Sequence, residues 1–519
     1  MNNHSITANQ FFCSVFAYTL SRFAGSSKVL FNLIENGRGH IDLSESLGMF
    51  VRTLPLLVDC KNQDISSFLD YTSDMISSAM KYDLYPFRIL ANQYDLNSDI
   101  LFQYSHNLFS NMINDGELGC AVDDLKHDVI GDLSFFIFNV GKDKLRIRIL
   151  YSEKFSKEFI EQFAESYKLI LRGMMDADIL SDVNYTQSSD LDKLDSYNHT
   201  ECDLNYEDIL DAFNHNLSKY PDNKLVSYGD ISCSYGEAAF IADILARRLK
   251  FLGVGLQDCV PFLVERSQLY MLCALGILSK GCVYVPLDDY LPDERIKFML
   301  NDCGAHVVIV SDETYERAAN LFGEDIVLLN ISDIINGDIG TLSGLPVVYG
   351  DLACILYTSG TTGVPKGVKI TRKGITSYVD FYVNEYGMNN DSTFGLFSSI
   401  GFDVGAIRGI CSPLYCGACL DIVPNDIRFD MNKLNEHFID KKVTHTTLPT
   451  QIARMFIEEV DETSLEVLIT GGEKLGEINS PSDYSFNDSY GPTECCVAVC
   501  AIEVNNKIDS SSIGYLFNN

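Results

Sequence analysis

Basic residues are scarce in this chain of 519 residues: 39 Lys and Arg stand against 72 Asp and Glu, giving a formal net charge of −33. Affinity for polyanions rests on clustered Lys and Arg, so we do not expect nucleic acid as a partner. The chain lacks any run of about 18 apolar residues, and its start has neither the basic segment nor the apolar run of a signal peptide. We therefore expect a cytoplasmic protein without a membrane partner.

The sequence also lacks the two CxxC pairs that a cysteine-based zinc site would need. The 16 cysteines are scattered, and the single CxxC spacing at Cys416 and Cys419 has no second pair that would complete a zinc site. Cysteines spread through a chain of this size behave as small buried apolar residues. No cysteine-based metal or redox site is expected.

The composition is that of a folded protein, with 46% apolar and 21% charged residues. The length predicts two to four domains. Residues 187–203 are poor in apolar side chains and rich in Ser, Asp and Asn. Such a segment cannot form a core, so we predict a linker at 187–203 between a first region, 1–186, and a second, 204–519.

Both regions show mixed α/β patterns. In the second, Lys224–Tyr228 and Ile231–Cys233 predict a strand pair, and Ser234 with Glu237 predicts a capping box that opens a helix. Short apolar runs then alternate with helical patterns up to Val307–Val310, which predicts βαβ units on a parallel sheet. In the first region, 10–23 is predicted to be helical, 28–34 extended, and 130–140 and 144–151 a β pair.

The segment that stands out most follows the apolar strand Leu352–Tyr357. It contains hydroxyl residues and glycines and then Lys366, in the sequence TSGTTGVPKG. Backbone N–H groups and hydroxyls in such a loop can bind an anion, and a lysine adds a charge suited to phosphate. The spacing does not match GxxxxGK[ST], so a P-loop NTPase is the wrong class.

With its preceding strand, this segment reads LYTSGTTGVPKG and resembles the phosphate loop of adenylate-forming enzymes, which include acyl-CoA synthetases, luciferases and the adenylation domains of nonribosomal peptide synthetases. Three other segments resemble motifs of that family, in the family's order. They are LSKGCVYVPLD at 278–288, the GFD segment at 401–403 and SYGPTE at 489–494. The resemblance covers residues 200–519.

The first region resembles the C-terminal part of a condensation domain. The similar segments are LGMFVRTL at 47–54 and YPF at 85–87. Arg52 stands where the family usually has Asn, and the HHxxxDG motif is missing, since no His-His pair occurs. The implied fold is a partial condensation-type α/β subdomain, followed by the large N-terminal core of an adenylate-forming enzyme with layered βαβ sheets and helices.

The resemblance implies that a substrate carboxylate attacks the α-phosphate of ATP, giving an acyl-adenylate and pyrophosphate. A carboxylate is already ionised at neutral pH, so positioning and charge stabilisation suffice. Thr358, Lys366, Thr493 and Glu494 are the implied catalytic residues, with Glu494 as the Mg²⁺ ligand and Thr493 at the α-phosphate. The implied ATP-binding residues are Thr358, Ser359, Gly360, Thr361, Thr362, Gly363, Lys366, Gly471, Gly472, Glu473, Tyr490 and Thr493.

Asp403 distinguishes the amino-acid-activating branch of the family. A carboxylate flanked by Phe402 and Val404 is costly to bury without a cation, and an α-ammonium would supply one. A helix-capping role for Asp403 is the structural alternative. The other implied pocket residues are mostly apolar and uncharged, which predicts a neutral substrate side chain, large apolar or aromatic. They are Val404, Ile407, Thr447, Ile469, Gly471, Ser489, Val497 and Ala498.

The sequence ends shortly after the YGPTE motif, whereas the family continues into a small C-terminal subdomain bearing a catalytic lysine. We therefore expect this subdomain to be missing and the chain to be slow alone. No carrier-type LGGxS motif is present, so phosphopantetheine is expected only on a separate carrier domain. Two alternatives stay open: an inactive remnant that binds ATP or a carrier protein, and an acyl-CoA ligase for another carboxylic acid.

Overall fold

A computed structural model describes residues 6–37, 48–94, 99–105, 120–122, 131–139, 144–200, 202–337, 340–359, 364–476, 478, 481, 483–504 and 514–516. Some predicted positions lie outside these residues: Gly360, Thr361, Thr362 and Gly363 of the phosphate loop, Leu47 of the first condensation-type motif, and Ile130 and Val140 at the ends of a predicted strand. The chain divides into two compact units, Met1–Ser196 and Tyr197–Asn519.

The first unit contains a mixed sheet with the strand order β2-β1-β3-β5-β6-β4. Its strands are β1 (Lys28–Glu35), β2 (Arg52–Asp59), β3 (Ile100–Ser105), β4 (Cys120–Val122), β5 (Leu133–Asn139) and β6 (Leu145–Tyr151). Its helices are α1 (Ala8–Phe23), α2 (Ile65–Lys81), α3 (Phe87–Tyr94) and α4 (Lys157–Asp176). The predicted helix, the predicted extended segment and the predicted β pair are confirmed as α1, β1 and the antiparallel strands β5 and β6.

Helix α1 forms the centre of this unit. A capping box between Thr7 and Gln10 sets its start, and its residues from Phe11 to Ser21 are buried. The ring of Phe16 lies 5.1 Å from those of Phe102 and Phe135 on the sheet, measured between ring centroids. The first unit therefore has its own aromatic core.

Residues 188–198, within the predicted linker, form helix α5 (Ser188–Asn198), none of whose residues is buried. This helix includes the point at which the chain divides into its two units. The helix fits the polar composition of the segment, and its few apolar side chains, Leu191, Leu194 and Tyr197, are exposed.

The second unit carries two further sheets. Its strands are β7 (Lys224–Tyr228), β8 (Ile231–Ser234), β9 (Cys259–Val264), β10 (Val283–Asp288), β11 (Val307–Val310), β12 (Val327–Asn330), β13 (Leu352–Ser359), β14 (Pro365–Thr371), β15 (Thr393–Leu396), β16 (Cys419–Ile422), β17 (His445–Thr447), β18 (Val467–Gly471), β19 (Ser485–Tyr490), β20 (Cys500–Glu503) and β21 (Tyr515–Leu516). Its helices are α6 (Ile209–Lys219), α7 (Tyr235–Phe251), α8 (Leu269–Ser279), α9 (Asp293–Cys303), α10 (Asp312–Phe322), α11 (Ser332–Ile335), α12 (Arg372–Glu385), α13 (Ile410–Cys416), α14 (Met431–Lys441) and α15 (Thr450–Glu459). None of the helices in the described residues is both long and apolar enough to cross a membrane.

One sheet has the order β12-β11-β9-β10-β13-β14 and is parallel except for β14. The other has the order β21-β20-β19-β18-β17-β15-β16-β7-β8 and is parallel from β19 to β7. The predicted hairpin at β7 and β8 and the capping box of Ser234 and Glu237 are confirmed. Every residue of α8 is buried, which explains why this helix is apolar on all sides.

A buried ion pair joins the starts of two helices in the second unit. Arg372, the first residue of α12, donates to both carboxylate oxygens of Asp208 through Nε and Nη2, each at 2.7 Å. Asp208 also accepts from the Leu210 N–H at the start of α6, and Arg372 Nη1 donates to the Leu278 carbonyl of α8. The pair therefore holds three helices together inside the core.

Candidate active site

The phosphate loop predicted from the sequence connects the antiparallel strands β13 and β14. Thr358 lies opposite Lys366, and Ser359 lies opposite Pro365. The Thr358 side chain is half-buried, whereas Ser359 and Lys366 are exposed. The two described ends of the loop thus place a hydroxyl and an ammonium group side by side, which is the donor set that phosphate oxygens require.

A cavity of about 440 Å³ opens at the carboxyl ends of the other sheet's parallel strands. Eight of the predicted ligand-binding residues line it: Asp403, Val404, Thr447, Gly471, Gly472, Glu473, Ser489 and Val497. Ile407, Ile469 and Ala498 were predicted to face the substrate but do not line this cavity; they are buried in the surrounding core. The implied amino-acid pocket and one side of the implied nucleotide slot therefore form one space.

Sequence reasoning missed seven lining residues: Ser398, Phe402, Leu448, Pro449, Thr450, Gln451 and Gly491. Most of them follow directly on a strand end, as Leu448 to Gln451 follow Thr447 of β17. The rule that ligands bind beyond the carboxyl ends of parallel strands could have found these residues once β17 was assigned. With three residues, β17 is too short for a clear alternating pattern.

Asp403 lies at the start of a π-helical turn, Val404–Gly409. Its Oδ1 accepts from the Val404 N–H at 2.8 Å, and its Oδ2 accepts from the Thr493 hydroxyl at 2.5 Å. The carboxylate is half-buried, and Phe402 beside it is 67% exposed. Asp403 therefore caps the π-helical turn, as the structural alternative predicts, and it also lines the cavity.

The residues implied for adenine and Mg²⁺ lie on the segment after β19. Tyr490 ends this strand with 54% of its surface exposed, so one face of its ring can stack on a base. Thr493 and the exposed Glu494 form a short 3₁₀ helix, Thr493–Cys495. Among the described residues, no three His, Cys, Asp or Glu side chains converge on a common point. One exposed carboxylate fits Mg²⁺, because this ion is usually held by one or two carboxylates and substrate phosphates.

Close backbone packing shapes the cavity at two glycines. A Cβ on Gly471 would lie 2.3 Å from the Ser489 carbonyl oxygen, and one on Gly491 would lie 2.4 Å from Ala498 Cα. Val497 adopts a φ of 83°, a conformation that is rare for a β-branched residue. Such strained backbone is concentrated at functional sites, and nothing in the local sequence signalled it.

A buried carboxylate supports the loop that carries Asp403. Asp288, at the end of β10, accepts a hydrogen bond from the Ser399 hydroxyl, which in turn accepts from the Gly401 N–H at 3.0 Å. Burial raises the pKa of Asp288, and hydrogen bonds from Ser399 and Tyr290 partly offset the rise. The resemblance included Asp288 in a motif but assigned it no role; the structure shows that it holds the GFD segment.

Arg408, which sequence reasoning missed, lies on the π-helical turn that Asp403 begins. The residue is 1% exposed. Its Nε donates to the Tyr378 hydroxyl at 2.7 Å, and its Nη1 donates to the Thr447 hydroxyl at 2.9 Å. The guanidinium carbon lies 5.0 Å from the ring centroid of Tyr382. A cation is therefore buried behind the cavity wall, against aromatic rings and hydroxyls.

Asp488 on β19 provides a pH-dependent test of the structure near the site. Burial raises its pKa to about 6, so between pH 4 and 6 the folded protein holds a proton that the unfolded chain releases. This group's contribution to stability therefore falls as pH rises through that window. We expect Asp488→Asn to melt at a higher temperature than the unaltered chain. This increase in melting temperature should be about 1–2 °C larger at pH 7.5 than at pH 5.5.

Circular dichroism melting curves at the two pH values measure this difference. The exposed Asp461 supplies a matched control, since Asp461→Asn removes the same charge from the surface. Burial also raises the pKa of Asp288, but this residue is present in every variant, so its contribution to the pH dependence is the same in all of them. An equal shift for Asp488→Asn and Asp461→Asn would contradict the assignment.

The fold and the site together define the core of an adenylate-forming enzyme. Residues 213–519 match the family described as AMP-binding enzyme, and residues 1–193 match the condensation domain family. The first match covers more than half of the chain, so the chain belongs to the AMP-binding enzyme family. The prediction of a condensation-type region followed by an adenylation core is confirmed, as is the α/β fold class.

Curated relatives are subunits of peptide synthetases. Surfactin synthase subunit 2 of Bacillus subtilis (strain 168) is 28% identical over 521 residues, which cover 96% of this chain and 14% of that protein. Bacitracin synthase 1 of Bacillus licheniformis is 28% identical over 523 residues, which cover 96% of this chain and 10% of the relative. The chain thus spans only 10–14% of the length of these two relatives.

Solved structures share the fold. The nonribosomal peptide synthetase FmoA3 in its AMPPNP-bound form superimposes with a TM-score of 0.83 at 18% identity, over 100% of this chain and 58% of that one. A four-domain nonribosomal peptide synthetase bound to AMP and glycine gives a TM-score of 0.76 at 18% identity, over 99% of this chain and 41% of that one. At such identity the likeness supports the fold and not the substrate.

Proposed function

We propose that this chain activates the carboxylate of an α-amino acid with ATP, giving an aminoacyl-adenylate and pyrophosphate, as the adenylation step of a nonribosomal peptide synthetase module. The observation that carries the proposal is the position of Asp403. Its carboxylate lines the cavity and accepts two hydrogen bonds, but among the described residues it has no cationic partner. An α-ammonium group in the cavity would supply the missing charge.

The described side chains can position both substrates without a protein base. Thr358, Ser359 and Lys366 would hold the β- and γ-phosphates at the open end of the β13–β14 pair. The Thr493 hydroxyl donates to Asp403 in the structure, and it would turn this proton to the α-phosphate once an α-ammonium group occupies Asp403. The attacking carboxylate is already ionised, so alignment and charge neutralisation account for the rate.

Glu494 and Tyr490 complete the proposed nucleotide site. Mg²⁺ held by Glu494 would neutralise charge on the phosphates. Tyr490 would stack on adenine, with Gly471, Gly472 and Glu473 on the other side of the slot. The phosphate-loop residues Gly360, Thr361, Thr362 and Gly363 belong to the same proposal through the family resemblance.

The cavity wall supports a neutral substrate side chain, large apolar or aromatic. Val404, Val497, Gly471 and Ser489 line it with apolar or small groups. Ile407, Ile469 and Ala498 lie behind that wall and would set its depth. The product would pass to phosphopantetheine on a carrier protein, with other synthetase segments as partners, in the cytoplasm.

ATP–pyrophosphate exchange across the twenty amino acids tests the proposal. The assay is run on the chain alone and with an adenylation C-terminal subdomain added in trans, and ATP binding is measured separately. We expect exchange with a neutral amino acid of large side chain. ATP binding without exchange in either arm would support the inactive-remnant alternative. Equal exchange with the corresponding acid that lacks the amine would support the acyl-CoA ligase alternative.

A further inference from the structure

One side chain, that of Thr447, lies between the guanidinium of Arg408 and the proposed substrate cavity. Its guanidinium is buried and, within the part of the chain that the structure describes, has no carboxylate partner. A buried cation is costly unless polar groups compensate it, and here these groups are hydroxyls and aromatic faces. One of the two hydroxyls belongs to Thr447, which lines the cavity.

The contact with Arg408 fixes how Thr447 can bond to a ligand. Arg408 Nη1 donates to Thr447 Oγ1 at 2.9 Å, so a lone pair of this oxygen is occupied. Within the described part of the chain, the Thr447 hydroxyl donates no hydrogen bond. A hydroxyl that accepts from a charged donor is itself polarised and becomes a stronger donor.

We propose that Arg408 is a positioning residue that makes Thr447 a hydrogen-bond donor toward the cavity, so that the site prefers a neutral side chain carrying an oxygen acceptor. This inference rests on the proposed function and narrows its substrate class. Within the large neutral side chains, it selects a tyrosine-like side chain over a phenylalanine-like one. The hydroxyls of Ser489 and Thr450 also line the cavity, but they already donate to the carbonyls of Thr470 and Gly471, so they compete less with Thr447 for a substrate oxygen.

Binding of non-hydrolysable aminoacyl sulfamoyl-adenosine analogues tests the inference without requiring turnover. Two matched pairs are compared by calorimetry: tyrosyl with phenylalanyl, and asparaginyl with leucyl. In the unaltered chain we expect the oxygen-bearing member of at least one pair to bind about ten-fold or more tightly than its apolar partner. If neither pair shows this preference, the inference is wrong.

Four variants distinguish a positioning role of Arg408 from a purely structural one. Thr447→Val and Arg408→Met are expected to reduce the preference to less than about three-fold, whereas Thr447→Ser and Arg408→Lys retain most of it. Valine has nearly the shape of threonine, so the binding preference of Thr447→Val can be measured even if Arg408→Met fails to fold. Melting curves check that each variant is folded. A preference that survives Thr447→Val overturns the inference.

ATP binding distinguishes failure of this inference from failure of the proposed function. If ATP binds, none of the four analogues binds and no amino acid supports exchange, the proposed function fails and the inference fails with it. If the analogues bind without regard to the side-chain oxygen, the proposed function stands and only the role of Arg408 is rejected.

Discussion

Replacing Arg372 with methionine is expected to lower the free energy of unfolding by about 3–5 kcal/mol. The change leaves the Asp208 carboxylate in the core without its cation, and its side chain is only 8% exposed. It also removes the donor to the Leu278 carbonyl. The chain has no tryptophan, so chemical denaturation is best followed by far-ultraviolet circular dichroism.

Two comparisons make this prediction specific to burial. Lys433→Met breaks the exposed pair with Asp430, whose nitrogen–oxygen distance is 3.3 Å, and should cost less than about 0.5 kcal/mol. Adding Asp208→Asn to Arg372→Met removes the unpaired charge and keeps a good N-cap for α6, so it should recover part of the lost stability. No recovery in the double variant would mean that packing around Arg372, and not the buried charge, carries the effect.

Local patterns in the sequence predicted much of the fold correctly. The capping box at Ser234 and Glu237 and the helical spacing after it act within a few residues, so α7 was found at its first residue. The short apolar runs of β9, β10 and β11 are buried on both faces of a parallel sheet, which is why they show no alternation. Their order in the sheet depends on contacts between distant segments and could not be read locally.

The site was predicted only in part, for the same physical reason. Asp403 could be placed because the GFD motif carries it, and Thr447 and Gly471 could be placed because the family resemblance aligns them relative to the motifs. Arg408 could not, because an arginine next to a motif is ordinarily a surface residue, and only the tertiary contacts with Tyr378 and Thr447 show it to be buried. The positive φ of Val497, next to the close approach between Gly491 and Ala498, likewise has no local signature in the sequence.

Replacing Asp403 with asparagine is expected to lower kcat/KM for the preferred amino acid by about 100-fold or more. In asparagine, Oδ1 can still accept from the Val404 N–H, and Nδ2 can donate to the Thr493 hydroxyl oxygen, which reverses the direction of that bond, so the loop should keep two hydrogen bonds. What is lost is the negative charge that would pair with the α-ammonium. ATP affinity should stay within about three-fold, since the phosphates contact other residues.

A comparison of substrates with and without the α-amine gives a second test of the role of Asp403. The unaltered chain should prefer the amino acid over its deaminated analogue by about 100-fold, and Asp403→Asn should bring the two within about three-fold. Asp426→Asn, which removes an exposed charge, is the matched control and should change neither rate. An equal loss for both substrates would show instead that Asp403 acts by capping the π-helical turn, because a purely structural role cannot distinguish a substrate with an amine from one without it.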